Sequence, residues 1–206
     1  MSSITEVKIC GITNEADALM ALECGADYLG FVLYEGSQRG ITPTALMQLV
    51  DRLPTEVRKI GVFVNEDPDR VEVVADDCGL YAVQLHGDER ARDFSGCKCT
   101  VWRAVRFVKG LGDADPDEWN ASRYVVDAAV SGKYGGTGEL ADWSLATDFA
   151  GKHEVMLAGG LTVENVEEAV QAVKPIGVDV AGGVEKAYGV KDSAKVRAFI
   201  ENAKKA

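Results

Sequence analysis

The 206-residue chain is predicted to be an α/β protein, a single (β/α)8 TIM barrel forming one domain over residues 1–206. Three observations carry that prediction. Eight short apolar runs recur along the whole length. Helical stretches with readable start and stop signals lie between most of them. The positions at the C-terminal ends of the runs are almost all polar or glycine.

The elements follow in order. "VKICGI" (7–12) sets Lys8 and Cys10 on one face, since alternate side chains of a strand share a face. After "YLGFVL" (28–33), Thr42-Pro43 supplies an N-cap and an N1 proline for a helix with Leu46, Leu49, Val50 and Leu53 on one side, and Pro54 follows. "IGVFV" (60–64) is followed by the same device at Asp67-Pro68, ahead of Val71, Val74 and Ala75, with Gly79 as the stop. "AVQLH" (82–86) aligns Gln84 with His86, and "VWRAV" (101–105), "YVVDA" (124–128), "EVMLAGG" (154–160) and "GVDVAGG" (177–183) complete the strands. Thr162 opens a helix carrying Val163, Val166, Ala169, Val170 and Val173, and Asp192 opens a last one carrying Val196, Phe199 and Ile200. Helical patterning is weak after the fourth, fifth and sixth strands, where residues 107–121 and 129–141 read largely as loop. Uniformly apolar short runs suit parallel strands covered by helices on the outside. A doubly wound open sheet is the structural alternative.

Composition narrows the partners. With 22 Lys and Arg against 33 Asp and Glu, the net charge is −11, and no basic run is longer than the terminal Lys204-Lys205. Nucleic acid and anionic membrane are therefore poor partners, whereas a small anion can still be held by backbone amides and a few local cations. Cys10, Cys24, Cys78, Cys97 and Cys99 form no C-x-x-C pair, so neither a zinc site nor a disulfide framework is expected. No signal peptide pattern or membrane-length apolar run is present, and the expected location is cytoplasmic.

In a barrel the active site forms at the C-terminal ends of the strands. Those positions hold Cys10, Ser37 and Arg39, Asn65, His86, Asp127, Gly159-Gly160, and Asp179 followed by Gly182-Gly183. Asp127 interrupts an apolar strand, which is costly unless it is hydrogen-bonded or opens into a pocket; desolvation there suits a carboxyl to general acid work. Cys10 is a candidate base if it reaches the thiolate, with Lys8 on the same face as an aid or as a partner of Asp179. The glycine pairs in "LAGGL" (157–161) and "VAGGV" (180–184) follow the last two strands, where backbone N–H groups can meet phosphate. Arg39, before a well-capped helix, is a candidate bidentate partner for a carboxylate. "GGTG" (135–138) lacks the lysine of a P-loop and reads as a lid beside Asp127.

Assembled in order, "KICGIT" (8–13), "SQRGITP" (37–43), "GVFVN" (61–65), "VQLHG" (83–87), "VVDA" with "GGTG" and "DW" (125–143), "LAGGL", "VDVAGGVE" (178–185) and "GVKD" (189–192) resemble the phosphoribosylanthranilate isomerases of tryptophan biosynthesis nearly end to end. The resemblance implies a barrel without metal or organic cofactor acting on a small phosphoribosyl substrate. The implied reaction is the Amadori rearrangement of N-(5-phosphoribosyl)anthranilate to 1-(2-carboxyphenylamino)-1-deoxyribulose 5-phosphate. It implies Asp127 as general acid, Cys10 as general base, Arg39 at the anthranilate carboxylate and the amides around Gly160, Gly182 and Gly183 at the phosphate, with His86 and Asp179 lining the pocket. Two departures stand out. Ala181 and Gly182 occupy positions where the family usually has serines, which predicts weaker phosphate binding, and Gln38 replaces the usual proline before the arginine. The alternatives are a related isomerase of histidine biosynthesis, which would end its first strand in aspartate rather than Cys10, a dual-specificity variant, and a barrel that binds phosphosugars without turning them over.

Overall fold

A computed structural model describes residues 4–108, 111–127 and 142–206, the side chains of residues 108 and 111 excepted. The "GGTG" segment lies outside the described residues. Eight strands, all parallel, close into a ring: β1 (Glu6–Cys10), β2 (Tyr28–Val32), β3 (Lys59–Phe63), β4 (Ala82–Leu85), β5 (Val101–Val108), β6 (Arg123–Asp127), β7 (Val155–Leu157) and β8 (Gly177–Val180). Each pairs with the next, and β8 returns to β1 with Asp179 opposite Lys8, so the open-sheet alternative falls away.

The outer layer is α1 (Glu15–Glu23), α2 (Pro43–Val50), α3 (Pro68–Asp77), α4 (Pro116–Trp119), α5 (Trp143–Ala150), α6 (Val166–Val173) and α7 (Ser193–Lys205). Thr42, Asp67 and Asp192 accept from the first-turn amides of α2, α3 and α7, as their sequence positions predict. Gly79 stops α3 with φ +54°, a left-handed turn that glycine enters without strain. α6 starts later than expected. Thr162 Oγ1 accepts from Glu164 N, closing a turn, and the N-cap position falls to Asn165, whose own side chain reaches back to the loop. After β4 stands only a short 3-10 turn, Ala91–Phe94, and after β5 a two-residue return strand, Leu111–Gly112, and the single turn of α4. These are the segments whose sequence lacks helical periodicity.

The main apolar core lies between strands and helices, where residues such as Val7, Leu29, Leu46, Val71, Leu157, Val170 and Phe199 are buried. Inside the ring the lower layers are filled by Tyr28, Ile60, Trp102, Val125 and Met156. Below them the Tyr28 hydroxyl donates to Glu6 Oε1 at 3.0 Å and accepts from Arg58 Nη1 at 2.8 Å and Arg123 Nη1 at 2.9 Å. Burial, with the Glu6 carboxylate adding to it against the pull of Arg123, pushes the Tyr28 hydroxyl up to about 12. It therefore stays a donor, and this knot seals the N-terminal end of the barrel, the end that serves stability. No helix of the described residues is long and apolar enough to cross a membrane.

Candidate active site

The opposite end is open. A cavity of about 560 Å³ is lined by Cys10, Arg39, His86, Asp127, Gly160, Asp179, Gly182 and Gly183, so the candidate acid, base and substrate-contact residues meet in one place. Asn65 is the exception among the polar strand ends. It adopts φ +53°, its Oδ1 accepts from Asp88 N at 2.7 Å, and its own N–H donates to Glu89 Oε1 at 2.8 Å, so it ties the β3 and β4 loops together instead of lining the cavity.

Strand parity works as predicted. Lys8 is fully buried, and its ammonium donates to Asp179 Oδ2 at 2.8 Å and Gln84 Oε1 at 2.7 Å, with Cys10 Sγ at 3.5 Å. Burial works against the Lys8 charge, but Asp179 and Cys10 outweigh it and hold its pKa above the ordinary lysine value. For Cys10 the balance is reversed. Burial pushes the thiol pKa up, Lys8 pulls it down without prevailing, and Asp179 adds to the rise. The lysine both pairs with Asp179 and faces the sulfur, joining the two roles open from the sequence.

The room for this cluster is made by a glycine. A Cβ at Gly30 on β2 would stand 2.7 Å from Cys10 Sγ and 2.8 Å from Lys8 Cε. Gly30→Ala is expected to shift the sulfur and to lower turnover by about 10²-fold, the scale set by a misplacement of roughly 1 Å. Steady-state kinetics beside a circular dichroism melt separates that loss from unfolding.

Arg39 is held by a residue the sequence reading left without a role. Its Nε and Nη2 donate to the two oxygens of Glu185, each at 2.8 Å, and its guanidinium lies 5.0 Å from the centre of the Tyr188 ring. Glu185 also accepts from Lys191 Nζ at 2.9 Å and from Gly189 N at 3.3 Å. Burial favours the neutral acid at Glu185, but the Arg39 and Lys191 hydrogen bonds and charges prevail and hold its pKa below the ordinary carboxylate value. The fork therefore grips one edge of Arg39 and leaves the Nη1 end without a hydrogen bond among the described residues, aimed by its other edge. The only signal in the sequence is the glutamate ending "VDVAGGVE", whose partner lies 146 residues away.

At the third corner, Gly159 and Gly160 take φ +79° and +64°, conformations that favour glycine. Asn165 braces this loop, its Nδ2 donating to Gly160 O at 3.0 Å and its Oδ1 accepting from Thr162 N at 2.8 Å. A side chain at Gly183 would collide with Leu161 O, so the two glycine loops lie against each other through backbone alone. At Gly182 a Cβ would approach Arg39 Nη2 to 3.2 Å.

A family model described as N-(5'-phosphoribosyl)anthranilate (PRA) isomerase matches residues 7–202. The chain belongs to this family. Among curated PRA isomerases, that of Geotalea daltonii is 46% identical over 202 residues, covering 98% of this chain and 97% of the relative. The crystal structure of the Thermotoga maritima phosphoribosyl anthranilate isomerase matches with TM-score 0.85 at 38% identity, over 98% of this chain and 100% of that one. A further phosphoribosyl anthranilate isomerase, solved in complex with reduced 1-(o-carboxyphenylamino)-1-deoxyribulose 5-phosphate, matches with TM-score 0.82 at 36% identity, over 98% and 100% of the two chains. Membership in the PRA isomerase family thus extends over residues 7–202, and "KICGIT", "SQRGITP", "GVFVN", "VQLHG", "VVDA", "LAGGL" and "VDVAGGVE" each contribute residues that line the cavity.

Proposed function

We propose that this chain is the PRA isomerase of tryptophan biosynthesis, rearranging N-(5-phosphoribosyl)anthranilate to 1-(2-carboxyphenylamino)-1-deoxyribulose 5-phosphate as one cytoplasmic catalytic domain of residues 1–206. One observation carries the reading: Cys10 at the end of β1 and Asp127 at the end of β6 line the same cavity as Arg39. A carboxylic acid and a thiolate across a pocket suit a reaction that must protonate one atom and deprotonate its neighbour.

In this mechanism Asp127 gives its proton to the furanose ring oxygen. The bond from that oxygen to C1 breaks, and the nitrogen lone pair forms the protonated imine. Cys10, as thiolate, removes the proton at C2, the C–H electron pair becomes the enolamine double bond, and the positive charge on nitrogen is discharged. The enolamine tautomerises to the ketone. One proton is delivered and one is taken, so passing a proton from Cys10 to Asp127 through solvent restores the enzyme. Arg39, steadied by Glu185, presents its remaining edge to the anthranilate carboxylate. The amides around Gly160, Gly182 and Gly183 receive the phosphate. Asp179 keeps Oδ1 without a hydrogen bond among the described residues, an acceptor suited to a ribose hydroxyl.

The histidine-pathway reading would need an aspartate where β1 ends in Cys10, and no observation favours it. The test is loss of anthranilate-type fluorescence when the phosphoribosyl adduct, generated in situ, meets the protein. Catalysed loss is expected. A protein that binds the reduced product analogue yet leaves the fluorescence decaying at the uncatalysed rate is a phosphosugar binder, and the isomerase reading fails.

Ala181 offers a second test. Ala181→Ser returns a hydroxyl at the phosphate end of the cavity, and one added hydrogen bond is expected to lower KM by about 2- to 10-fold. Inhibition constants for inorganic phosphate should fall in parallel.

A further inference from the structure

Four buried side chains follow one another across the cavity floor, and their order fixes a proton that no single residue specifies. Lys8 Nζ is 2.7 Å from Gln84 Oε1, Gln84 Nε2 is 2.8 Å from His86 Nδ1, and His86 Nε2 is 3.2 Å from Asp127 Oδ2. An ammonium can only donate. The Gln84 amide must therefore turn its oxygen to Lys8, because the flipped amide would set two donors against each other. Its NH₂ then faces His86, where Nδ1 has to accept. A neutral imidazole that accepts at Nδ1 carries its hydrogen at Nε2, the nitrogen facing Asp127.

From this line we infer that Gln84 is a positioning residue that locks His86 as the neutral Nε2–H tautomer, so that His86 donates to the Asp127 carboxylate left once the ring oxygen has taken its proton. The inference rests on the acid role proposed for Asp127. No proton passes along the line. Asp127 loses its proton to substrate, and His86 keeps its own while stabilising the new negative charge. In this structure His86 Nε2 is buried, near Asp127 but without a hydrogen bond among the described residues. The two groups are close and not yet aligned, and a small ring rotation completes the contact when charge develops. Among the described residues, the groups facing the imidazole are Gln84 on its own strand and Asp127 on β6, with the Lys8–Asp179 pair behind Gln84.

The chain has two histidines, so the tautomer can be read directly. Long-range proton–nitrogen correlation on protein labelled with nitrogen-15 histidine, with His153→Gln for assignment, is expected to give His86 the Nε2–H pattern at neutral pH. Gln84→Glu replaces the donor by an acceptor, which calls for hydrogen at Nδ1. Its His86 is expected to switch to the Nδ1–H or doubly protonated form. kcat should fall about 10- to 100-fold, the worth of one hydrogen bond to a charged group, with KM within about threefold. Gln84→Met, apolar and of similar length, is expected to lower kcat likewise if the glutamate variant does not fold. An Nδ1–H or doubly protonated His86 in the parent, or a kcat unchanged in the folded variants, overturns the inference. The spectra need no turnover, so failure of the isomerase reading is distinguishable from failure of the tautomer assignment.

Discussion

Cys10→Ser is expected to lower kcat by about 10²- to 10⁴-fold while KM changes little, because the thiol supplies general base catalysis and little binding. A serine hydroxyl fits the space but does not ionise near neutrality. The parent's pH profile should carry the same signature. Burial pushes the Cys10 pKa above the ordinary thiol value, so the thiolate fraction, and with it kcat/KM, climbs with pH into the alkaline range. Cys10→Ser should lose that limb. Stability runs the opposite way: above the ordinary thiol pKa the unfolded chain has released a proton that the folded one retains, and stability falls as pH rises through that window. Measured kcat/KM from pH 6 to pH 10, roughly the span over which a thiol titrates, checks the first sign and urea melts check the second.

Glu185→Ala should produce the largest loss of stability. Glu185 is buried between Arg39 and Lys191, and truncating it leaves two cations facing each other in a site poor in water. Breaking a buried pair from one side costs about 3–5 kcal/mol. The active site suffers as well, since Arg39 loses the fork that orients it, and KM for the substrate should rise in whatever fraction stays folded. Glu185→Gln keeps the shape and is expected to fall between parent and alanine variant. The pKa of Glu185 is depressed on folding, so its contribution is present above the unfolded carboxylate pKa and is lost as pH falls through the lower, folded value. Chemical denaturation of the three proteins at neutral and acidic pH tests both the size and the sign.

The legible parts of this protein were those written in local pattern. Each of the eight apolar runs forms a strand of the ring, and two-residue periodicity correctly put Lys8 with Cys10 and Gln84 with His86 on shared faces. Proline and aspartate caps marked α2, α3 and α7 because capping is a contact between near neighbours in the chain. The start of α6 was missed for a related reason: Thr162 does accept a first-turn-like amide, but Asn165, three residues on, binds back to the loop and delays the helix. Apart from the Lys8–Asp179 pair, what the sequence could not display are contacts between distant strand ends. The Arg39–Glu185–Lys191 group and the line from Lys8 to Asp127 join residues from four or more elements, and only ring closure brings them together. The direction of the Cys10 shift is of the same kind, since it depends on how completely the sulfur is buried beside Lys8 and Asp179.

The most direct test of the central claim compares the parent with Asp127→Asn in the fluorescence assay, after titrating both with the reduced product analogue. The amide preserves shape and removes the transferable proton. If Asp127 opens the ring, both proteins bind the analogue with affinities within about tenfold, and the variant's turnover drops by about 10²- to 10⁴-fold. An Asp127→Asn protein that binds the analogue and still consumes the adduct at the parent's rate would contradict the account.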